Sequence, residues 1–238
     1  MDRRPKRFYK SAGVTTVKGQ YQLALDTRAA RTPGGRAFVL PTLALADAVA
    51  AEWERQEDRI SFHLMPLTKL AATTLDHIAC RRDETVDGLL AYVDGDVLCY
   101  RTESPEDLVS LQMSTWQPLL EWAATELDVC LETTTVLRPL RQPSTTVASL
   151  RRFLTACDDF TLTGLAAIAQ TAGSLLIGLA VTRGRLDADA AFRAAFVDEC
   201  YQADRWGGDP EAELRRQRLA AELGDADLFI RLAHARAR

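Results

Sequence analysis

Histidine and lysine are scarce in this sequence, and the scarcity narrows its chemistry. Three histidines occur in 238 residues, His63, His77 and His234. They are too scattered to suggest a metal site, and there is no HExxH pair. Four lysines stand against 25 arginines, a bias that, with the many alanines, looks like GC-rich coding. No GxxxxGK[ST] loop is present to cradle phosphate, no GxGxxG follows a strand, and Ser174 sits outside any GxSxG elbow. The five cysteines (80, 99, 130, 157, 200) are odd in number and form no CxxC pair, so they read as free thiols of a reducing compartment, mostly small core residues. The first ten residues are charged and hold no apolar run, so no secretory signal is expected, nor a presequence, because structured-looking sequence starts almost at once. No cofactor, metal or disulfide is expected.

The chain is 47% hydrophobic and 26% charged, ordinary for a globular protein, and long enough to bury a sizeable core. The formal net charge of −4 is unevenly placed. Residues 1–41 carry nine Lys/Arg and two acids, net +7, which leaves 20 basic and 31 acidic residues, net −11, in the remainder. A basic front can steer a partner or pair internally. Phe8 and Tyr9 within it lie in a β-like alternation that turns one of them inward, so no nucleic-acid partner is expected. Residues 160–182 carry no charge over 23 positions, enough to cross a bilayer. Their threonines, Gln170, Ser174 and three glycines favour a buried central helix instead of a membrane span.

The first forty residues read as β. Phe8-Tyr9-Lys10, Val14–Val17, Tyr21–Leu25 and Ala37–Leu40 are β-prone runs, with Lys18-Gly19-Gln20 and Thr32-Pro33-Gly34-Gly35 as turns. Helical spacing follows. Thr42 caps a helix whose apolar stripe is Leu43, Ala46, Val49, Ala50 and Trp53, with Glu52, Gln56 and Glu57 facing water. Further helices are expected over 66–80 and 84–93. Another begins at Ser104-Pro105-Glu106-Asp107, with Ser104 as cap and a kink or break near Gln117 imposed by Pro118. Residues 97–100 and 130–137 are candidate strands, and everything after about 145 reads helical. The fold class expected is α+β: a small β-rich N-terminal domain with a following helix over 1–60, then a mainly helical domain over 61–238.

Candidate sites are few. Asp94/Asp96 and Asp187/Asp189 fit a turn and a helix start better than a cation site. One helix is expected over about 188–206, with Phe192, Ala195, Phe196 and Ala203 as its buried stripe. Glu199 falls along that stripe, and Gln202 and Trp206 continue it at i+3 and i+7. A carboxylate beside two phenylalanines is costly unless paired or functional. Trp206-Gly207-Gly208-Asp209-Pro210 ends this helix and caps the next.

Arg7-Phe8-Tyr9-Lys10, Thr32-Pro33, Leu40-Pro41-Thr42, Glu52-Trp53 with Gln56, Met65-Pro66-Leu67-Thr68, Cys99-Tyr100-Arg101, Gly173-Ser174-Leu175 and Trp206-Gly207 with Asp209 stand in a specific order. In that order the sequence resembles the assembly chaperones of the F-type ATP synthase, in particular those attending the alpha subunit of the soluble F(1) head, from about residue 6 to 220. The resemblance implies a β-rich N-terminal and a helical C-terminal domain, no catalysis and no cofactor. It implies a protein that holds the unassembled alpha subunit until the beta subunit replaces it. The early start of structured-looking sequence points to a bacterial member, expected to be cytoplasmic and monomeric when free, with no stable membrane insertion. The family's functionally important acid before the Trp-Gly motif matches Glu199, so Glu199, Gln202, Trp206 and Asp209 are the expected partner-binding residues. The competing expectation is a small-molecule enzyme with carboxylates in an interdomain cleft.

Overall fold

The computed structural model describes residues 4–17, 19–136 and 138–235. The chain forms two compact units. One comprises Met1–Arg82 with Asp159–Gly164 and Leu228–Arg238, and the other Asp83–Asp158 with Leu165–Asp227. The boundary expected at residue 60 follows the strands and the first helix, whereas compactness divides the chain later and returns two distant segments to the first unit.

The first unit holds an antiparallel sheet of β1 (Ala12–Val17), β2 (Gln20–Leu25), β3 (Arg28–Ala29) and β4 (Val39–Leu40). Strand β2 pairs with β1 along its length and with both short strands on its other edge. Gly19 supplies the positive φ that the β1–β2 turn requires, while Lys18 lies outside the described residues. Residues 8–10 do not join the sheet; the chain before them makes only an isolated bridge, Lys6 to Arg59. Helix α1 (Leu43–Glu54) packs on the sheet and is capped by Thr42, whose Oγ1 accepts from the Leu45 N–H at 3.1 Å. The core gathers Leu23, Phe38, Leu40, Leu45, Val49 and Met65, and Phe229 from the far end of the chain completes it.

Two residues expected at the surface are buried, Glu52 and Gln56 at 2% and 5% exposure. The reason is hydrogen bonding. Helix α2 (Pro66–Asp76) starts with no side-chain cap of its own. Glu52 reaches across from α1 to accept from Leu67 N at 2.8 Å, Thr68 N at 2.7 Å and Thr68 Oγ1 at 2.6 Å. A carboxylate at a helix N-terminus satisfies otherwise orphaned donors and meets the positive end of the dipole. Gln56 Oε1 accepts from Ser61 N at 2.8 Å and its amide donates to Glu52 O at 3.0 Å, closing the turn that follows α1.

The second unit is helical: α3 (Arg82–Leu90, entering from the first unit), α4 (Glu106–Leu127), α5 (Ser144–Ala156), α6 (Asp159–Ala172), α7 (Leu175–Thr182), α8 (Ala188–Ala195), α9 (Val197–Trp206) and α10 (Pro210–Ala233). Helices α6 and α10 each share one end with the first unit. Helix α4 contains Pro118 without ending at it, so of the kink or break expected near Gln117 the break does not occur. Four other expectations are corrected. Pro105, not Ser104, stands at the N-cap of α4. The uncharged run is two helices, broken where Gly173 takes φ +64° and Ser174 caps α7 by accepting from Ile177 N at 3.0 Å. No helix among the described residues is long and apolar enough to cross a membrane. Residues 97–99 form a 3-10 turn, and 130–136 contains no strand, Thr134 alone bridging Tyr100 before a bend, while residue 137 lies outside the described residues. Gln142 stands in for the missing strand partner, accepting from Glu132 N at 2.8 Å and donating to Glu132 O at 3.0 Å.

Asp96 ties this unit together. It is 1% exposed and accepts from Leu98 N and Leu176 N, both at 3.1 Å. Burial pushes its carboxyl up to about 6, against the opposing pull of the Ser174 hydroxyl and the surrounding amides. Of the five free cysteines only Cys99 is buried, where desolvation raises its thiol to about 12. The α+β class is as expected: a small N-terminal antiparallel sheet and a larger helical part.

Candidate functional site

The expected helix over 188–206 is two helices, and the break decides what faces where. Asp187 caps α8, accepting from Ala190 N at 2.7 Å. Phe196, at φ −118° and ψ 34°, leaves helical geometry and turns the chain into α9. It is buried, its ring 4.9 Å from that of Phe192. The fully buried Trp116 of α4 seats this corner, its indole N–H donating to Ala194 O at 2.7 Å. The Arg101 guanidinium lies over the same indole at 5.0 Å and donates to Gln112 O at 3.1 Å. Gln112 in turn donates to Asp198 Oδ1 at 2.8 Å and accepts from Thr102 N at 2.9 Å.

Helix α9 presents two faces. Val197, Cys200, Tyr201 and Asp204 point toward α4 and line a groove of about 370 Å³ with Leu111 and Leu119. An exposed staple ties α9 to the start of α4. Tyr201 OH donates to Asp107 Oδ1 at 2.8 Å, and Arg205 donates to both Asp107 and Tyr201. The tyrosine hydroxyl, with help from Arg205, holds the Asp107 carboxyl below the ordinary carboxylate range, while desolvation and its bond to Asp107 push the Tyr201 phenol up. None of these three was singled out in the sequence. A Tyr-x-x-x-Arg pair at i, i+4 on a short helix is the signal that was there to read.

Glu199, Gln202 and Trp206 do share one face of α9, as their spacing predicts. At 100° per residue that face is opposite the groove, and all three are exposed. Glu199 is therefore not on a buried apolar stripe. A stripe from Phe192 to Glu199 needs one continuous helix, and the corner at Phe196 instead rotates α9 so that its acidic side meets water. Glu199 makes no hydrogen bond or ion pair with the described residues. Trp206 is 71% exposed, its ring edge-on to Tyr201 at 6.3 Å. Gly207, at φ +85°, ends the helix, and exposed Asp209 caps α10 by accepting from Ala212 N at 3.1 Å. Among the described residues no group of three or more His, Cys, Asp or Glu is placed to hold a metal. What the arrangement offers is contact area: an outward carboxylate, an amide and an indole on one side of α9, and a groove lined by exposed Leu111 with Leu119 and Val197 on the other.

The family model described as ATP12 chaperone protein matches residues 6–124. The mitochondrial protein atp12 of Schizosaccharomyces pombe is 24% identical over 239 residues, covering 95% of this chain and 82% of that protein. The crystal structure of Atp12 from Paracoccus denitrificans superposes with a TM-score of 0.90 at 39% identity, covering 97% of this chain and 99% of that one. The Atu1473 protein of Agrobacterium tumefaciens superposes with a TM-score of 0.85 at 33% identity, over 95% and 85% of the two chains.

Proposed function

Because the chain belongs to the ATP12 chaperone family and is a chaperone, not an enzyme, we propose that it serves assembly of the F-type ATP synthase by binding the unassembled alpha subunit of the soluble F(1) head and shielding it until the beta subunit takes its place. The observation that carries the reading is the extent of the likeness, nearly the full length of both this chain and its Paracoccus relative. The enzyme expectation is set aside by the family. The client is met by the outward face of α9 and the turn after it, through Glu199, Gln202, Trp206 and Asp209. An exposed tryptophan is a usual anchor of a protein interface, and a carboxylate beside it can fix register and steer the partner. The protein works in the cytoplasm as a monomer when free, without stable membrane insertion and without nucleic acid.

The test uses isolated alpha subunit and the Glu199→Gln variant. Wild type should suppress aggregation of the alpha subunit without ATP. The variant should melt with wild type, since an exposed, unbonded carboxylate leaves stability within about 0.5 kcal/mol. It should lose rescue, because truncating one side of a desolvated charged contact costs about 2–5 kcal/mol. Equal protection of unrelated aggregating proteins would refute the client, and unchanged rescue would remove Glu199 from the contact.

A further inference from the structure

The first unit carries an aromatic side chain held in water by everything around it. Arg7 is fixed, its guanidinium donating to the carbonyls of Tyr9 at 3.2 Å, Lys10 at 2.9 Å, Glu54 at 3.1 Å and Gln56. Tyr9 is buried, its hydroxyl donating to Trp53 O at 2.7 Å. With residues 7 and 9 both tied inward, the extended backbone turns Phe8 outward, where it is 71% exposed. An apolar ring in that position gains nothing for the fold, and the bonds on either side prevent its collapse onto the surface. Its only aromatic neighbour among the described residues is Tyr9, met edge-on at 5.4 Å.

Beside Phe8 lies a cleft of about 630 Å³, with Leu25, Tyr9 and Trp53 in its lining and Arg28 and Arg31 among its polar groups. Neither arginine has a carboxylate partner among the described residues; Arg31 donates only to Gly35 O at 2.7 Å. The one acid in the lining, Asp26, is engaged by Lys10 N at 2.8 Å and Ser11 N at 3.0 Å. These groups belong to the stretch that carries net +7 over residues 1–41, while the rest of the chain is net −11. The cleft thus combines a fixed aromatic wall, an apolar lining and two uncompensated guanidinium groups.

We infer that the Phe8 cleft is a second client-contact surface, which takes an extended polypeptide segment carrying an apolar side chain flanked by carboxylates. The apolar side chain packs on Phe8 and the cleft lining, and the carboxylates meet Arg28 and Arg31, where planar guanidinium groups favour bidentate pairing. This rests on the client reading above for the identity of the protein that supplies the segment, but not for the chemistry of the cleft.

The experiment uses the full chain with two probes, the isolated alpha subunit and a dye-labelled octapeptide of alternating glutamate and leucine, with an alternating lysine–leucine octapeptide as comparison. Phe8→Ser and the double variant Arg28→Gln/Arg31→Gln are exposed changes that should leave the melting temperature unchanged. Each should raise the dissociation constant for the acidic peptide at least tenfold and raise the concentration that half-protects the alpha subunit. Salt at 0.5 M should weaken wild type and not the arginine double variant. If wild type fails to protect the alpha subunit yet binds the acidic peptide in a Phe8- and Arg-dependent way, the client is wrong and the cleft assignment stands. If wild type protects and both variants bind and protect equally well, the cleft assignment is overturned. Preference for the lysine peptide, or displacement of the acidic peptide by single-stranded DNA or anionic vesicles at lower concentration than by unlabelled peptide, overturns it too.

Discussion

Replacing Glu52 by alanine should cost more than replacing any acid on the surface of the chain. The carboxylate is 2% exposed and accepts from Leu67 N, Thr68 N and Thr68 Oγ1 at 2.6–2.8 Å. Removing it leaves two backbone N–H groups in the first turn of α2 without an acceptor, beneath side chains that are themselves 4–5% exposed. Each stranded buried donor costs about 1–3 kcal/mol. Together with the vacated volume, the expected loss is about 3–5 kcal/mol, within the range for removing one member of a buried charged contact. For a chain of this size that corresponds to a drop in melting temperature of roughly 6–20 °C. Glu52→Gln should fall between, because one oxygen remains while the new NH₂ confronts an N–H donor. Glu57→Ala, on the exposed side just beyond the same helix, is the control and should stay within about 0.5 kcal/mol. Circular dichroism melts of the three variants, checked by urea titration, decide it. A Glu52→Ala variant that melts with the Glu57→Ala control would refute the argument that this carboxylate is what starts α2.

Asp96 should make stability depend on pH in the unusual direction for an acid. Burial raises its folded-state value to about 6, so between the ordinary carboxylate range and that value the folded state holds a proton that the unfolded chain has released. The contribution is full at low pH and is lost as pH rises through about 6, by about 3 kcal/mol at most. Melting temperatures from pH 4 to 7 should show this component in wild type and lack it in Asp96→Asn, and parallel profiles would contradict it. In α7, a Cβ at Gly178 would stand 3.1 Å from Leu165 O and 3.5 Å from the Ala169 Cβ. Gly178→Ala should therefore destabilise by about 1–3 kcal/mol despite the better helix propensity of alanine, as read by denaturant unfolding. A stabilised variant would mean that α6 and α7 are free to separate.

Local chemistry was well signposted. Thr42, Asp187 and Asp209 could be recognised as helix caps, and the strand-rich start and helical remainder followed from the change of period near residue 42. What escaped was set by distant partners. Glu52 looked like a water-facing residue of α1 because its three donors come from residues 67 and 68. Gly173 carried a readable stop signal, whereas Phe196 carried none, since its departure from the helix belongs to a corner seated by Trp116. The candidate site suffered from the same omission. The spacing of Glu199, Gln202 and Trp206 placed them correctly on one face, but the unseen corner reversed which side of α9 that face was on. The staple of Asp107, Tyr201 and Arg205 joins residues nearly a hundred positions apart, beyond the reach of any local pattern.

The presence of Phe229 in the core of the first unit has a consequence for the order in which the protein is made. That core is otherwise assembled from residues 9–71, with Ala233 at its edge, and Thr42 Oγ1 donates to Leu232 O across 190 positions. At a synthesis rate of roughly 5–20 residues per second, a ribosome that has just added Arg82 needs roughly 7–30 s to reach Phe229. Through that interval the sheet and its two helices exist as a nascent module with an apolar vacancy where the phenyl ring belongs. Vectorial synthesis therefore leaves the N-terminal unit incomplete until Phe229 has been added, so this assembly chaperone passes through its own synthesis with an unfilled apolar surface.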